Sequence, residues 1–545
     1  MKICLAQLNY HIGHFEENTR KMLEAIGEAK AQGADIITFS ELATCGYPPR
    51  DFLEFRDFIT RCQTSVDTLA LAAVGIGVLV GSPSLNPDLE GKDLFNSAYF
   101  LADGEIKQTF HKSLLPTYDV FDEYRYFEPA KSFSLLEYKG YNIAVTICED
   151  LWNLGNENPL YTVCPMDEMI DLAPDFMLNI SASPFAYDHA AERIHVLKAN
   201  VKRYRIPLFY NNLVGAQTEI LFDGGSLVFS PDGNVFDELP YFEECLRYYE
   251  LQEVRQGGQQ REQPKNKVAL IHDGIVMGIH NYFGKLGLKQ AVLGLSGGID
   301  SAVTAVLATR ALGKDNVRVL LMPSHFSSAH SVDDARELAE ILGIRYDIIP
   351  IEPVYHQFLA QLKLTFGDLP FNVAEENIQA RVRGTLLMGI SNKFGPILLN
   401  TTNKSEMAVG YGTLYGDLCG GLSVLGDIYK TEIYELAAYI NKDAPVIPQN
   451  SIEKPPSAEL RPGQKDSDSL PPYDILDPIL FQYIERRQGP REIIAMGYDE
   501  TLVHRILRLV NINEFKRHQT APVLRVSSKA FGVGRRIPIV AKYLN

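Results

Sequence analysis

The sequence predicts two α/β domains in tandem, on three observations. Apolar strands alternate with amphipathic helices over roughly the first 245 residues, a polar stretch interrupts the alternation at 253–267, and a second strand–helix alternation follows. Residues 1–8 (MKICLAQL) are an apolar strand that ends in a Gly-containing turn. Residues 16–32 place Met22, Leu23, Ile26 and Ala29 on one helical face, and Gly33 stands where a helix would terminate. Residues 35–39 form a second strand. Similar apolar strands recur at 77–80, 98–101, 141–147, 176–180 and 206–210.

The interruption, VRQGGQQREQPKN, carries Gly-Gly and Pro and has no apolar period, so it reads as a linker. The expected division is 1–247, a linker at 248–266, and 267–545. In the second part, 268–286 reads as a helix, 290–295 as a strand, 301–312 as a helix and 317–322 as a strand. Residues 455–471, rich in Pro, Asp and Ser, read as a lid or a loop over a site.

Bulk properties exclude several function classes. The formal net charge is −16 with no long basic block, which argues against a nucleic-acid partner. No run reaches the ~20 apolar residues of a spanning helix, and the first apolar run is too short for a signal peptide; a cytoplasmic, non-membrane protein is expected. The seven cysteines include no CxxC pair, which fits reduced thiols rather than zinc or disulfide chemistry.

Three residues in the first half end strand-like segments: Glu41 in DIITFSELATCGYPP, Lys112 in EIKQTFHKSLLP and Cys148 in NIAVTICEDLW. Singly they read as two surface charges and a core thiol. Strand ends of one sheet can converge, and together a carboxylate, an ammonium and a thiol make an amide-cleaving set. Glu41 would take the thiol proton, Cys148 attack an amide carbonyl, and Lys112 with a backbone N–H steady the oxyanion and favour the thiolate.

With FSELATCGYPPRD, HKSLLPTYDVFDEYRYFEP and VTICEDLW, the first ~245 residues resemble the nitrilase (carbon–nitrogen hydrolase) superfamily. The resemblance implies an α-β-β-α sandwich and a second catalytic carboxylate at Glu123, with Glu128 near it in sequence. It also implies a glutamine pocket at Tyr118, Ser183 and His189. Here Ser40 replaces a usual proline before the catalytic glutamate, and His189 replaces a usual basic residue, often lysine, after SPF.

In the second half, VLGLSGGIDSAV runs strand, glycine turn, helix. Gly297 and Gly298 let the backbone approach a polyphosphate, Ser296 and Ser301 add hydroxyl donors, and Asp300 calls for a cation, Mg²⁺, between itself and phosphate. No GK[ST] follows, so this is not a Walker A loop. The motif resembles the ATP pyrophosphatase (PP-loop) superfamily. This implies a Rossmann-like domain with a parallel sheet, and ATP bound along Gly294, Leu295, Ser296, Gly297, Gly298, Ile299, Asp300 and Ser301.

The segments ENIQARVRG, LNTTNKSEMAVGYGTLYGD, KPPSAELRPGQ and FKRHQTAP narrow the resemblance to the NAD synthetase family. By position it implies that Thr401 contacts ATP and that Asn377, Arg381, Glu406 and Lys516 lie at deamido-NAD. Glu406 would join Asp300 at magnesium, and Asp417, Lys430 and Ser457 would lie on the phosphate or adenylate side. Val424 and the His325–Phe326 pair depart from the family pattern. The implied reaction is amidation of a dinucleotide carboxylate through an adenylate, with AMP and pyrophosphate released. The nitrogen would be drawn from glutamine, and the pairing of the two halves on one chain leads us to expect that it passes between them internally as neutral ammonia. The resemblance further implies a homodimer through the second half, with assembly up to an octamer.

Other families that pair a glutaminase with a PP-loop fit less well. Asparagine synthetase needs a cysteine after the initiator, where Lys2 stands, and GMP synthetase uses Cys-His-Glu rather than Glu-Lys-Cys.

Overall fold

The computed structural model describes residues 1–88, 90–154, 160–258 and 261–544, which divide into two units, Met1–Lys265 and Asn266–Asn545. The first unit is built on two six-stranded sheets. One runs, edge to edge, Cys245–Glu250, Lys2–Gln7, Ile36–Thr38, Gly77–Leu85, Leu94–Ala102 and Glu105–His111. The other runs Val235–Glu238, Leu227–Phe229, Leu208–Asn212, Phe176–Ser181, Tyr141–Ile147 and Leu136–Tyr138.

The strand Lys2–Gln7 shows why such strands read as continuous apolar runs. Ile3 and Leu5 face the core shared with Ile143, Val145, Phe176 and Phe209 of the other sheet. Cys4 and Ala6 face a second core, with Met22 and Ile26 of the helix Phe15–Ala31 and Val66 and Leu69 of the helix Arg56–Ala72. A strand covered on both faces has no polar side to alternate with. The helix His189–Tyr204 covers the second sheet's outer face through Leu197 and Val201. The layering is the expected α-β-β-α sandwich.

The expected linker differs. Cys245–Glu250 pairs antiparallel with Lys2–Gln7, and the helix Leu251–Gln256 buries Leu251 and Val254 completely, so residues 248–256 belong to the first unit. Arg261 then bridges to Asp237, and Lys265 Nζ reaches Glu238 at 2.9 Å. Gln259 and Gln260, in the middle of the stretch, lie outside the described residues. A polar sequence docked along an edge strand carries no apolar period, which is why it reads as a linker.

The second unit begins with Asn266, whose side chain caps the helix Lys267–Lys285 by accepting from the Ala269 N–H at 3.1 Å. Its sheet is wholly parallel, in the order Arg345–Ile348, Val317–Leu321, Ala291–Gly294, Ile397–Asn400, Leu422–Ser423. The first strand in sequence therefore lies in the middle. The connections diverge on either side of it, and ligands of such sheets bind at the carboxyl ends at that switch point. The helix Ile299–Leu312 starts two residues before its expected position, directly from Gly298. No helix among the described residues is long and apolar enough to cross a membrane.

Candidate functional site

Each unit carries one constellation. In the first, Cys148 follows the strand Tyr141–Ile147 and opens a short 3₁₀ turn, Cys148–Leu151, at φ +43°. A side-chain-bearing residue in the left-handed region marks a constrained elbow. Asp150 holds it, its carboxylate accepting the N–H groups of Ile147 at 3.0 Å, Ser113 at 3.0 Å and Leu114 at 2.9 Å. The cysteine turn is thereby tied to the segment just after Lys112.

Lys112 is fully buried, and its ammonium donates to Glu41 Oε1 at 2.7 Å and to both oxygens of Glu123 at 2.8 Å. The Ala182 N–H reaches Glu41 Oε2 at 3.1 Å. Glu128 instead accepts the Lys92 N–H and pairs with Lys131 at 3.4 Å, away from Lys112. Gly81 allows this convergence: a Cβ there would come within 2.4 Å of the Leu42 nitrogen and 2.7 Å of the Glu41 Cα.

The electrostatics correct one expectation. Lys112 does draw the Cys148 thiol toward ionisation, but burial, reinforced by the charge of Glu41, outweighs it and pushes the thiol well above its usual range. A standing thiolate is not favoured in this setting. Burial works against the charge on Lys112, and Glu123 and Glu41 hold it well above the usual lysine value.

Tyr118 donates to Glu149 at 3.0 Å, as does Tyr161, which fixes a carboxylate on the residue next to Cys148. Ser183 donates its N–H to Asn212 Oδ1 at 2.8 Å, and its hydroxyl lies 3.2 Å from His189 Nε2. The His189 ring stacks parallel on Trp152 with centroids 5.3 Å apart. The structure thus groups Glu41, Lys112, Glu123 and Cys148, and joins Tyr118 to the residue after Cys148.

Sequence reasoning missed Asn96 and Tyr47. Asn96 Nδ2 donates to Glu41 at 2.7 Å and Glu123 at 3.4 Å, and the Tyr47 hydroxyl donates to Glu123 at 2.8 Å. The buried polar Asn96 in the apolar strand LFNSAYFLA was the only signal for it.

In the second unit a cavity lies at the carboxyl ends of Ala291–Gly294, Val317–Leu321 and Ile397–Asn400. Gly294, Leu295, Ser296, Gly298, Ile299, Asp300 and Ser301 line it, with Thr401, Glu406, Asp417, Lys430 and Ser457. Gly297 turns behind them at φ +77°, where a Cβ would meet the Ser331 carbonyl at 2.2 Å. Ser296 Oγ accepts the Gly298 N–H at 3.2 Å and lies 3.1 Å from Ser301 Oγ.

Lys430 donates to Asp300 and lies 3.7 Å from Glu406. Asn403 spans the same pair, donating to Asp300 at 3.3 Å and accepting the Glu406 N–H at 2.9 Å. Burial and the charge of Asp300 raise Glu406 to about 8. Two carboxylates, Asp300 and Glu406, sharing Lys430 beside a glycine turn are a donor set that fits Mg²⁺ where phosphates supply its other ligands.

Asn377, Arg381 and Lys516 do not line the cavity but gather around the turn beyond Glu406. Thr413 Oγ1 donates to Asn377 at 2.7 Å, Arg381 Nε to the Leu414 carbonyl at 3.2 Å, and Lys516 Nζ to the carbonyls of Gly410 at 2.8 Å and Gly412 at 2.9 Å. Residues 455–460 and Asp466 form part of the cavity wall, so the Pro-rich segment lies over the site. Val424 is buried in the core, away from the cavity lining.

Comparison with known proteins gives the following. The carbon-nitrogen hydrolase family model matches residues 2–258, and the NAD synthase model matches 271–520. A glutamine-dependent NAD(+) synthetase of Synechocystis sp. is 45% identical over 552 residues, covering 99% of each chain. One of Acinetobacter baylyi is 42% identical, covering 99% of this chain and 98% of the other. The solved structure of the Acinetobacter baumannii enzyme of that name, in complex with ADP, superposes at TM-score 0.77 with 38% identity, covering 99% of this chain and 98% of that one. A Cytophaga hutchinsonii structure superposes at 0.83 with 21% identity and the same coverage, which speaks to the fold.

Proposed function

The chain belongs to the glutamine-dependent NAD(+) synthetases, and from that premise we propose how its two units divide the work of an ATP-dependent amide ligase. The first unit hydrolyses glutamine to glutamate and ammonia. The second activates the carboxylate of deamido-NAD with ATP and captures the ammonia to form NAD.

In the first unit Glu41 removes the Cys148 proton as sulfur attacks the glutamine amide carbon. Lys112 and a backbone N–H after Cys148 receive the oxyanion, and the proton held by Glu41 passes to the departing nitrogen as the C–N bond breaks. Water then adds to the thioester with a carboxylate as base, releasing glutamate and restoring the thiol. Tyr118, Ser183 and His189 are the residues proposed to hold glutamine, with Glu149 offering a carboxylate to its ammonium group.

In the second unit the dinucleotide carboxylate attacks the α-phosphorus of ATP and pyrophosphate leaves. Ammonia then displaces AMP from the adenylate. The SGGIDS turn holds the phosphates, while Asn377, Arg381 and Lys516 hold the dinucleotide. Asp300 and Glu406 would hold Mg²⁺, which supplies charge neutralisation on the phosphates.

The observation that carries this reading is the presence of two constellations on one chain: Glu41, Lys112 and Glu123 in contact beside Cys148, and Asp300 and Glu406 sharing Lys430 beside the SGGIDS turn. The test is a reaction with amide-¹⁵N glutamine, ATP, Mg²⁺ and deamido-NAD. Label in the product carboxamide and AMP as the nucleotide product are expected; ADP as product would exclude the scheme.

Burial raises Glu123 to about 7 against the pull of Lys112. Above that pH Glu123 is an anion sharing Lys112 with Glu41. Below it Glu123 is neutral, Lys112 pairs with Glu41 alone, and Glu41 becomes a weaker acceptor for the thiol proton. We expect kcat/KM for glutamine to fall as pH drops through about 7. Glu123→Gln, which imitates the protonated form, should give a lower plateau without that limb, and an unchanged limb in this variant would contradict the assignment.

A further inference from the structure

We propose that Arg383 is a substrate-contacting residue of the second unit, gripping anionic phosphate oxygens of a bound nucleotide with its two terminal guanidinium nitrogens. The inference rests on the function proposed above for this unit. Arg383 follows Arg381 by two residues on the helix Val373–Phe394, a spacing that sends the two side chains off different faces. Arg381 is exposed and reaches the Leu414 carbonyl, whereas Arg383 lines the cavity together with Ser296, Asp300 and Lys430. Arg383 Nε donates to the Met322 carbonyl at 3.1 Å, which fixes the guanidinium plane. Among the described residues its terminal nitrogens have no protein partner.

Three cationic side chains among the described residues line this cavity: Arg383, Lys430 and Lys454. Two are committed. Lys430 is held by Asp300 and Glu406, and Lys454 donates to Ser331 Oγ at 3.1 Å and Asp334 at 3.3 Å. The negative charges acting on Arg383 come from Glu459 and Asp417, and both carboxylates are bonded elsewhere. Glu459 accepts the hydroxyls of Ser328 at 3.1 Å and Ser331 at 2.8 Å, while Asp417 accepts the Thr413 N–H.

Burial pushes Arg383 down to about 10, because the loss of water outweighs the charges of Glu459 and Asp417. Such a group is costly unless a ligand completes it. A planar fork is also the side chain best matched to two phosphate oxygens. The neighbouring SGGIDS turn, shaped to cradle polyphosphate, places that ligand in the same cavity.

Both ATP and the dinucleotide bring phosphate oxygens, so the test has two arms. Ammonium-dependent synthesis is measured in Arg383→Ala and Arg383→Lys, varying ATP in one arm and deamido-NAD in the other. Arg383→Ala should raise KM at least tenfold in one arm, which identifies the source of the phosphate. Arg383→Lys should lie between it and the wild type, because it keeps the charge and loses the fork. KM values within about twofold of wild type in both arms overturn the proposal, as does a fall in kcat with both KM values unchanged. Where Arg383→Ala does not fold, Arg383→Lys carries the test by the same criteria. Failure of the functional reading would look different: the wild-type chain itself would form no amide from ammonium.

Discussion

Cys148→Ala is expected to abolish glutamine-dependent NAD formation, with kcat lower by on the order of 10⁴-fold or more, while synthesis from ammonium stays within a few-fold of wild type. Removing the sulfur removes the group proposed to form the thioester. The base and the oxyanion partner can still polarise the amide, but they cannot replace the attacking atom. The surrounding charge cluster does not depend on the thiol: Lys112 is held by Glu41 and Glu123, and Glu41 by Asn96 and the Ala182 N–H. The left-handed backbone at residue 148 suits alanine no worse than cysteine, so the variant should fold. Glutamate release and NAD formation, assayed separately with each nitrogen source, check this. A folded variant that lost both activities would argue against two separable sites.

Asp300→Asn should have the opposite selectivity. NAD formation from either nitrogen source is expected to fall by about 10²–10³-fold, with glutamate release retained. The substitution keeps the side chain's shape and an oxygen for Asn403, yet removes the charge that pairs with Lys430 and would bind Mg²⁺. Burial alone would lower Lys430, and the charges of Asp300 and Glu406 together hold it above its usual range. With Asp300 neutral, Lys430 is left to Glu406 at 3.7 Å, so the charges proposed for phosphate and metal would neutralise each other. Equal activity of Asp300→Asn and wild type in ammonium-dependent synthesis would remove Asp300 from the site.

Much of this arrangement was legible because short segments carry their own geometry. Cys148, Glu41 and Lys112 each follow a strand, but the expectation of one sheet is corrected: Glu41 and Lys112 follow strands of the first sheet and Cys148 a strand of the second, so the three meet only because the two sheets share a core. SGGIDS encodes its turn in Gly297, and the residues beside it line the cavity. Non-local pairings were not legible. The strand Cys245–Glu250 closes the first sheet against Lys2–Gln7, a contact across nearly the whole unit, so its polar continuation read as linker. Asn96 and Tyr47 act through side chains that meet Glu41 and Glu123 only after the sheet has formed. Arg381 and Arg383 look interchangeable in NIQARVRG, and only the packing of their helix decides which enters the cavity. The protonated state of Cys148 also lay beyond the sequence, because it depends on how deeply the thiol is buried among carboxylates.

On the proposed division of work, one chain holds a nitrogen-releasing centre and a nitrogen-capturing centre that fail independently. The most direct measurement is glutamate and AMP counted side by side, with ATP, Mg²⁺ and deamido-NAD present, in Cys148→Ala supplied with both ammonium and glutamine and in Asp300→Asn supplied with glutamine. The account predicts AMP without glutamate from the first and glutamate without AMP from the second. Loss of both products in either variant, with its fold intact, would contradict it.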